Sequence, residues 1–404
     1  MTDLLIEQIR HQAGAEPVPD LDLAGVIRRG RLVQRRRSVA RRSLATLAVC
    51  ALAGTAFVVG ANRGGGDSPV AGQPLNVSTS ITSGDVELVS AAYRTGGAFS
   101  RGDTLWFSDP DYLVDLGVKI QLMYYTADGV VAGVTNNDAG DVKRDYVYVG
   151  TDGTVRELNL PGKVVPGADA QADRFAYLTK QGAGYEIHVV KASTGREVAT
   201  LPFDAPYTWA GWDVPPIGLT GDFVVLGVDG AQQVVNWRTG ERMADVPGTQ
   251  LPSTGGGRAL GGDLSGVTYQ LGDSSALQLT QDLAAVDESG KNPWAMNELS
   301  PDGRFVQTVN TFINFDDKDR FIGVSGSDGT MISDPVVYVT DVATGERITL
   351  PGHGRTYGWT PDGRLMRVDG TKVTTCDGSS GACSSRNMPS GPGAIHMAGR
   401  YLGS

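Results

Sequence analysis

The sequence predicts an all-β protein over most of its length. Of the 404 residues, 55 are glycine, and many of these glycines stand in short turn signals. Between the turns lie runs in which apolar and polar residues alternate, such as DYVYVG, EIHVVK and VVYVTDV. This two-residue period is typical of strands of about four to eight residues, whereas helical periodicity is hard to find beyond residue 85.

Two recurring sequence units predict how the strands are joined. In the first, a strand leads into a tight turn that ends in glycine, as in VYVGTDGTVREL and VYVTDVATGERITL. The turn glycines Gly153, Gly195, Gly240 and Gly345 are 42, 45 and 105 residues apart. The last spacing fits two units, so we expect one further turn within 255–290. The second unit, SPDGRFVQTV or TPDGRLMRV, precedes the first.

Together the two units predict a four-stranded antiparallel sheet. An Asp-Gly turn joins its first two strands, and a Thr-Gly turn joins its last two. Residues 85–404 divided into seven such sheets give about 46 residues each, the usual length of a β-propeller blade. Seven blades are favoured, with six or eight as alternatives. A β-sandwich would explain the alternating strands but not glycine turns at this period.

The motifs SPDGRF and TPDGRL, followed by DVATGER, resemble the repeats of TolB-type and WD-repeat-like β-propellers over roughly residues 120–385. The Gly-His and Trp-Asp pairs of WD repeats are absent in register, so the TolB-type class fits better. With the arginine-rich run RRGRLVQRRRSVARR followed by the charge-free run LATLAVCALAGTAFVVGA near the N-terminus, the chain also resembles single-pass membrane proteins of actinobacteria that carry such a propeller outside the cell. The resemblance implies a fold and says little about function, because the Pro-Asp-Gly residues make a turn.

Residues 44–61, LATLAVCALAGTAFVVGA, carry no charge and would span about 27 Å as a helix, enough for a bilayer core. Eight arginines lie between Arg28 and Arg42, and only Arg63 follows closely on the other side. This asymmetry predicts a single-pass helix in the cell membrane, with a cytoplasmic N-terminus and an extracytoplasmic remainder. Cleavage after VGA as a signal peptide is the alternative.

Composition divides the chain into four parts. They are a cytoplasmic segment with a short amphipathic helix (1–42), the transmembrane helix (43–61), a flexible linker rich in Gly, Ser, Thr and Pro (62–84), and the propeller (85–404). The first part has a net charge of +4, so the total of −10 leaves −14 on the rest. An acidic exported part disfavours nucleic acid as a partner. The arginine cluster has a nucleic-acid interpretation as well, but the membrane-flanking one explains the same residues.

Cys376 and Cys383 stand in TTCDGSSGACSS, near the C-terminus. Aligned with TDVATGERIT, they fall on opposite arms of the last outer hairpin. If they oppose each other directly, their Cα atoms lie about 4.5–5.5 Å apart, within disulfide range. Zinc would need further ligands, and no histidine stands at finger-like spacing. A redox motif would want Cys-x-x-Cys. We therefore predict a disulfide and no metal site.

No motif predicts a catalytic residue or a cofactor. The chain has no Gly-x-Ser-x-Gly elbow, no phosphate loop and no His-Glu-x-x-His. Among the innermost strands, only Glu298 offers a charged side chain before a turn. Whether the protein is an enzyme stays open, with a lyase or hydrolase that acts in the central channel as the alternative to a binding protein.

The predicted turns lie on one face of the propeller, so the long loops 136–145 and 310–335 share the opposite face with the links between blades. Aromatic side chains gathered there are the candidate binding rim. The candidates are Tyr207, Trp209, Trp212, Phe312, Phe315, His353 and Tyr357. Packing between blades is the alternative role for each of them. The sequence thus favours a membrane-anchored, non-enzymatic sensor or adaptor that recognises a protein or envelope component.

Overall fold

The computed structural model describes most of the chain after residue 74. The described residues are 75–135, 145–161, 164–208, 213–248, 252–261, 267–272, 278–281, 296–309, 312–315, 321–325, 330–353 and 356–398. Among them, no helix is long and apolar enough to cross a membrane. The predicted cytoplasmic segment, transmembrane helix and first part of the linker lie outside these residues.

Seven antiparallel sheets follow one another along the described part of the chain, each with at least four strands. The protein is therefore an all-β propeller of seven blades, as the turn spacing predicts. Blade 1 contains β1 (Ser78–Thr79), β2 (Phe99–Arg101), β3 (Thr104–Trp106), β4 (Leu113–Asp115) and the C-terminal β32 (Ile395–Met397). Blade 2 contains β5 (Ile120–Thr126), β6 (Gly129–Val134), β7 (Asp145–Gly150) and β8 (Val155–Leu158).

The next three blades are consecutive in sequence. Blade 3 contains β9 (Gly167–Asp169), β10 (Arg174–Gln181), β11 (Gly184–Lys191) and β12 (Arg196–Phe203). Blade 4 contains β13 (Ile217–Thr220), β14 (Phe223–Val228), β15 (Ala231–Asn236) and β16 (Val246–Pro247). Blade 5 contains β17 (Thr254–Gly255), β18 (Arg258–Gly261), β19 (Val267–Gln270) and β20 (Gln278–Gln281). Blade 5 occupies the stretch in which the sequence predicts the missing unit.

The last two blades include an insertion. Blade 6 contains β21 (Met296–Leu299), β22 (Phe305–Val309), β26 (Val336–Asp341) and β27 (Arg347–Pro351). Between its second and third strands lies a separate three-stranded sheet of β23 (Phe312–Phe315), β24 (Phe321–Ser325) and β25 (Met331–Ile332). Blade 7 contains β28 (Gly358–Trp359), β29 (Leu365–Asp369), β30 (Lys372–Cys376) and β31 (Cys383–Asn387).

The expectation of an open loop over 310–335 is thus wrong in part. The runs FINF and FIGVS have strand-like composition. They pair with each other as β23 and β24, with Phe312 opposite Ser325.

The ring closes through the two ends of the propeller. β32, from the C-terminus, pairs antiparallel with β2 and places Met397 opposite Phe99. The innermost strand of blade 1 therefore comes from the end of the chain, and its other strands come from the beginning. The outermost strand, β1, lies inside the stretch predicted as linker, so the propeller begins several residues before the expected boundary at 85. β1 is ordered there because it pairs with the outer strand β4.

The two kinds of turn lie on one side of the ring, which we call the turn face; the opposite side is the loop face. Gly345 and Gly381 occupy matching positions in the outer turns of blades 6 and 7, with φ of 75° and 70°. Their amides donate to the carbonyls of Asp341 and Asp377. Both positions need the left-handed conformation, which explains why glycine recurs there.

The core consists of apolar layers between neighbouring blades. One layer packs blades 3 and 4 together with Leu178, Ile187 and Leu226, and another packs blades 6 and 7 around the fully buried Trp359. Successive side chains of a strand point alternately towards the two neighbouring blades. Most inner strands are therefore buried on both faces. This explains why β14, FVVLGV, is a continuous apolar run.

The disulfide prediction is confirmed. Cys376 and Cys383 are directly opposed on β30 and β31, and their Cα atoms are 4.1 Å apart. Cys376 is buried in the layer between blades 6 and 7, whereas Cys383 is exposed. The bond therefore ties the outermost strand of blade 7 to a residue of the core.

One helix, α1 (Val86–Gly96), precedes β2 and was not predicted. Val89 and Tyr93 form its buried side and are completely inaccessible to solvent. The spacing of four residues between them is the helical signal that the sequence contains, but eleven residues make a short helix that is marginal on its own.

Helix α1 occupies the place of a missing turn. Blades 2 to 7 each have an inner turn between their first and second strands, but blade 1 has none, because β32 ends the propeller. The hydroxyl of Tyr93 donates to the carbonyls of Thr126 and Gly129 in the inner turn of blade 2. On the other side, the carbonyl of Arg94 accepts from the amide of Asp362 in the inner turn of blade 7.

The remaining inner turns are joined to one another by hydrogen bonds around the turn face. In order around the ring they are Ala127 N to Ala172 O (3.0 Å), Gly221 N to Asp169 Oδ2 (2.7 Å), Gly257 N to Thr220 Oγ1 (2.9 Å) and Gly256 N to Pro301 O (3.1 Å). Between blades 6 and 7 the turns are in close approach, since a Cβ at Gly363 would lie 2.5 Å from the carboxylate of Asp302. The inner turns, which contain Pro-Asp-Gly only in blades 6 and 7, are thus in contact around the turn face.

Candidate functional site

A cavity of about 90 Å³ lies in the central channel, lined by the innermost strands of blades 2 to 6. Its polar lining includes Tyr125, Asp169, Ser253 and Glu298. The presence of Glu298 agrees with its predicted position in the channel. A cavity of this size is small beside the 300–1,000 Å³ that are typical of small-molecule sites.

A hydrogen bond crosses the channel at the turn face. The side-chain amide of Gln171, in the inner turn of blade 3, donates to the carbonyl of Pro361 in blade 7, with a distance of 2.7 Å. Asp169 is buried and accepts from the amides of Gln171 and Gly221. Burial raises the pKa of Asp169, although both amide bonds oppose the shift. Gln171 and Asp169 thus join the inner turn of blade 3 to the inner turns of blades 7 and 4.

The link that enters blade 4 contains the first three predicted rim residues. Thr208 donates to the carboxylate of Asp229 from its amide (3.0 Å) and its hydroxyl (2.8 Å), which fixes the link against the β14–β15 turn on the loop face. Tyr207 is half-buried against the layer between blades 3 and 4, and burial raises the pKa of its hydroxyl to about 12. Trp209 and Trp212 lie outside the described residues.

The link between blades 6 and 7 contains two further candidates. Tyr357 is only 3% exposed, packs between these blades and donates to the carbonyl of Pro351 (2.9 Å). It has the packing role that the sequence left as its alternative. His353 is half-buried and forms a tight turn with Thr356, whose hydroxyl accepts from the His353 amide (2.7 Å).

The inserted sheet carries the last two candidates, Phe312 and Phe315, on its strand β23. Its edge also carries Met331, a large apolar side chain that is 55% exposed. Sequence reasoning missed Met331 because it singled out aromatic residues. Met331 thus presents an apolar side chain to solvent on a sheet that is separate from the seven blades.

A polar cluster on the side of blade 3 was also missed. His188 of β11 lies between two carboxylates, with Glu197 Oε2 2.7 Å from its Nδ1 and Glu186 Oε2 3.4 Å from its Nε2. The Thr179 hydroxyl is 2.9 Å from the same Nε2. The alternation Glu186-x-His188 places both side chains on one face of the strand, which is the only sequence signal for this cluster.

The chain reaches the propeller at the loop-face side of blade 1. β4 leads to the loop face, and β1 runs antiparallel to it, so β1 starts at that face. In agreement with this direction, Asn76 lies against Gly117 in the link between blades 1 and 2, where a Cβ on Gly117 would be 3.1 Å from that of Asn76. The described part of the chain therefore begins at the loop-face edge of blade 1.

The seven sheets and their interlocked turns define this protein as a seven-bladed β-propeller. No family model matches the chain, and no curated protein matches it.

Solved structures that resemble it include a putative 6-phosphogluconolactonase from Bacteroides uniformis, with 13% identity, 74% of this chain and 98% of that chain covered, and a TM-score of 0.40. Hsv2p from Kluyveromyces lactis has 12% identity over 68% of this chain and 98% of that chain, with a TM-score of 0.38. A hydrazine synthase from Kuenenia stuttgartiensis has 13% identity over 64% of this chain and 76% of that chain, with a TM-score of 0.37. The blade count rests on the sheets of this chain alone.

Proposed function

We propose that this chain is a membrane-anchored, non-enzymatic binding protein, a sensor or adaptor, whose propeller recognises a protein or envelope component with its loop face. The observation that carries the proposal is the asymmetry of the two faces. The turn face is occupied by short interlocked turns and by α1, whereas the long connections leave the strands at the loop face. Such long connections on a rigid scaffold are where binding residues concentrate.

The proposed anchor is the charge-free segment 44–61, with residues 1–42 in the cytoplasm and the propeller outside. Its support is the arginine asymmetry of the sequence.

The orientation is tested by adding protease to intact cells after wall removal. The proposal expects degradation of the propeller and protection of the first forty or so residues. A protected propeller in intact cells, degraded only after lysis, would contradict the proposed orientation.

The binding face is tested by crosslinking and capture with the full-length protein, followed by an affinity measurement with the purified captured partner. Replacing Trp209 and Phe315 together with Ala, or Met331 with Asp, should weaken that affinity at least about tenfold, since a few buried apolar anchors dominate most interfaces. The matched control is Glu87→Ala with Leu88→Ala, on the exposed side of α1 at the turn face. Equal loss in the control would contradict the assignment of the loop face.

A second candidate function is a lyase or hydrolase that acts in the channel. The observation in its favour is the carboxylate of Glu298 on the wall of the cavity. It predicts that the purified protein turns over a small substrate and that Glu298→Gln abolishes turnover without loss of stability. Partner binding that survives Glu298→Gln would favour the binding protein.

A further inference from the structure

The disulfide of blade 7 presents its two sulfur atoms to very different surroundings. Cys376 on β30 is completely inaccessible to solvent and packs with Trp359 and Leu365 in the apolar layer between blades 6 and 7. Cys383 on β31 is exposed, and β31 is the edge strand of its sheet. An external molecule can therefore reach one sulfur atom of the bond and not the other.

This difference in access decides which sulfur atom a thiol can attack. In thiol–disulfide exchange, a thiolate attacks one sulfur of the bond and the other sulfur leaves. The packed layer shields Cys376, so the attack falls on Sγ of Cys383. A new bond then joins the external sulfur to Cys383, and the bond to Cys376 breaks. Sγ of Cys376 keeps the electron pair and takes a proton from solvent. One disulfide replaces another, and no oxidant or reductant is consumed.

The layer between blades 6 and 7 suits the thiol that this step releases. A free cysteine behaves as a small apolar side chain and is among the residues most often buried. A thiolate in the same layer would be an unpaired buried charge, so the leaving sulfur is stable there only with its proton. Opening of the bond thus leaves a neutral Cys376 side chain in the core.

The hairpin keeps the two cysteines opposed when the bond is open. β30 and β31 pair over five residues each. In the turn between them, the carboxylate of Asp377 accepts from the amides of Ser379 and Ser380, at 3.0 and 2.9 Å. These contacts do not involve sulfur, so they persist without the bond. Cys376 therefore stays beside Cys383 and can attack a mixed disulfide there, which expels the external thiol.

We propose that Cys383 is a site of reversible thiolation, which binds an external thiol as a mixed disulfide, and that Cys376 is the resolving thiol that releases it. The ligand is either a free small thiol or a cysteine of another protein, since both react by the same chemistry. The site lies at the outer edge of blade 7, next to the turn face. It is independent of the partner that we propose for the loop face.

Thiolation has a consequence at the junction of blades 7 and 1. Arg386 of β31 lies near the end of α1, where a Cβ on Gly96 would be 2.9 Å from its Nη2 atom. Its Nη1 atom is 3.9 Å from a carboxylate oxygen of Asp109 in blade 1. The disulfide ties this strand to the core through Cys376. We therefore expect thiolation to loosen β31 and, with it, both contacts of Arg386.

The roles of the two cysteines are tested with the full-length protein in a Cys50→Ser background, because the chain has three cysteines. The protein is reduced, freed of reductant and mixed with glutathione disulfide, and adducts are located by peptide mass spectrometry after an acid quench. The parent protein should end with its internal bond and no adduct. Cys376→Ala should retain one glutathione on Cys383. In the matched variant Cys383→Ala, the buried Cys376 should react at least about tenfold more slowly.

Exchange in the folded state is tested from the other direction. The oxidised parent protein is treated with excess glutathione or with reduced thioredoxin, and loss of the internal bond is followed at several urea concentrations below the unfolding transition. The rate should be proportional to thiol concentration and should change less than about twofold across the urea series, because attack on an exposed sulfur needs no global unfolding. The ratio of the two rates distinguishes free small thiols from protein thiols as the source.

Thermal unfolding checks the fold of both variants. If either is unfolded, acid-quenched mapping of glutathione on the parent protein keeps the test decisive, because it needs no substitution. Equal reactivity of the two variants, an adduct on Cys376 of the parent protein, or an opening rate that rises with urea in parallel with unfolding would overturn the proposal. Amides of 383–387 and 95–97 should exchange hydrogen faster in the reduced than in the oxidised parent protein, whereas unchanged exchange at 95–97 would contradict the link to α1.

Discussion

The side-chain amide of Gln171 donates a hydrogen bond to the carbonyl of Pro361 at 2.7 Å. The two residues belong to blades 3 and 7, which are not neighbours, so the bond crosses the mouth of the channel at the turn face. Together with the contacts of α1 to the inner turns of blades 2 and 7, it ties distant blades together at that face.

Gln171→Glu should destabilise the fold more than Gln171→Ala. The alanine variant loses one hydrogen bond, which costs about 0.5–1.5 kcal/mol. The glutamate variant keeps the shape of the side chain, but its carboxylate faces the carbonyl of Pro361 near the acidic Asp302 and Asp362. Urea unfolding at pH 7.5 measures both changes. Equal midpoints for the glutamate variant and the wild type would contradict the crossing bond.

Tyr93→Phe tests the role of α1 in the ring. The variant keeps the buried ring but removes the hydroxyl that serves Thr126 and Gly129, and we expect a loss of about 1–3 kcal/mol in the free energy of unfolding. Tyr93→Ala should cost about 3–5 kcal/mol because it also leaves a cavity. Leu88→Ala on the exposed side of the same helix is the matched control and should change stability by no more than about 0.5 kcal/mol. Similar losses at both positions would mean that helix propensity alone matters.

The disulfide between Cys376 and Cys383 should make a modest contribution to stability. It closes a short loop, with a sequence separation of 7, so the chain-entropy account allows about 2–3 kcal/mol at most. The double variant Cys376→Ala, Cys383→Ser should fold with a lower unfolding midpoint, and reduction of the wild type should lower its midpoint similarly. Alkylation of both thiols without reductant would refute the bond.

Asp302 should make stability fall as the pH rises. Burial, with a smaller contribution from Asp362, raises the pKa of Asp302 above its ordinary value, although Ser300 and Arg304 oppose the shift. A carboxyl whose pKa is higher in the folded state binds more protons there, so its favourable contribution is present below the unfolded pKa and is lost as pH rises through the folded pKa. Asp302→Asn removes this loss. In urea unfolding, the free energy of unfolding of the variant minus that of the wild type should therefore increase between pH 4 and pH 7.5. A value that stays constant or falls over this range would contradict the shift.

The blades follow from local chemistry in the sequence. The outer turns of blades 2, 3, 4, 6 and 7 each contain a glycine with positive φ, as at Asp341 with Gly345 and Asp377 with Gly381. These contacts span only four residues, so the sequence determines them without reference to the rest of the chain. Their spacing predicts seven blades, and the alignment of one turn over the next predicts that Cys376 opposes Cys383.

Contacts between distant residues were decided only by the closed ring. Helix α1 is too short to be stable alone, and it forms because the inner turns of blades 2 and 7 leave a gap that Tyr93 and Arg94 fill. Gln171 contacts Pro361 across a sequence separation of 190 residues. Likewise, Glu197 reaches His188 only through the pairing of β11 with β12, and the burial of Tyr357 depends on blade 7. Sequence periodicity predicts which residues share a face of a strand. Which blade packs against that face depends on ring closure, which is a property of the whole chain.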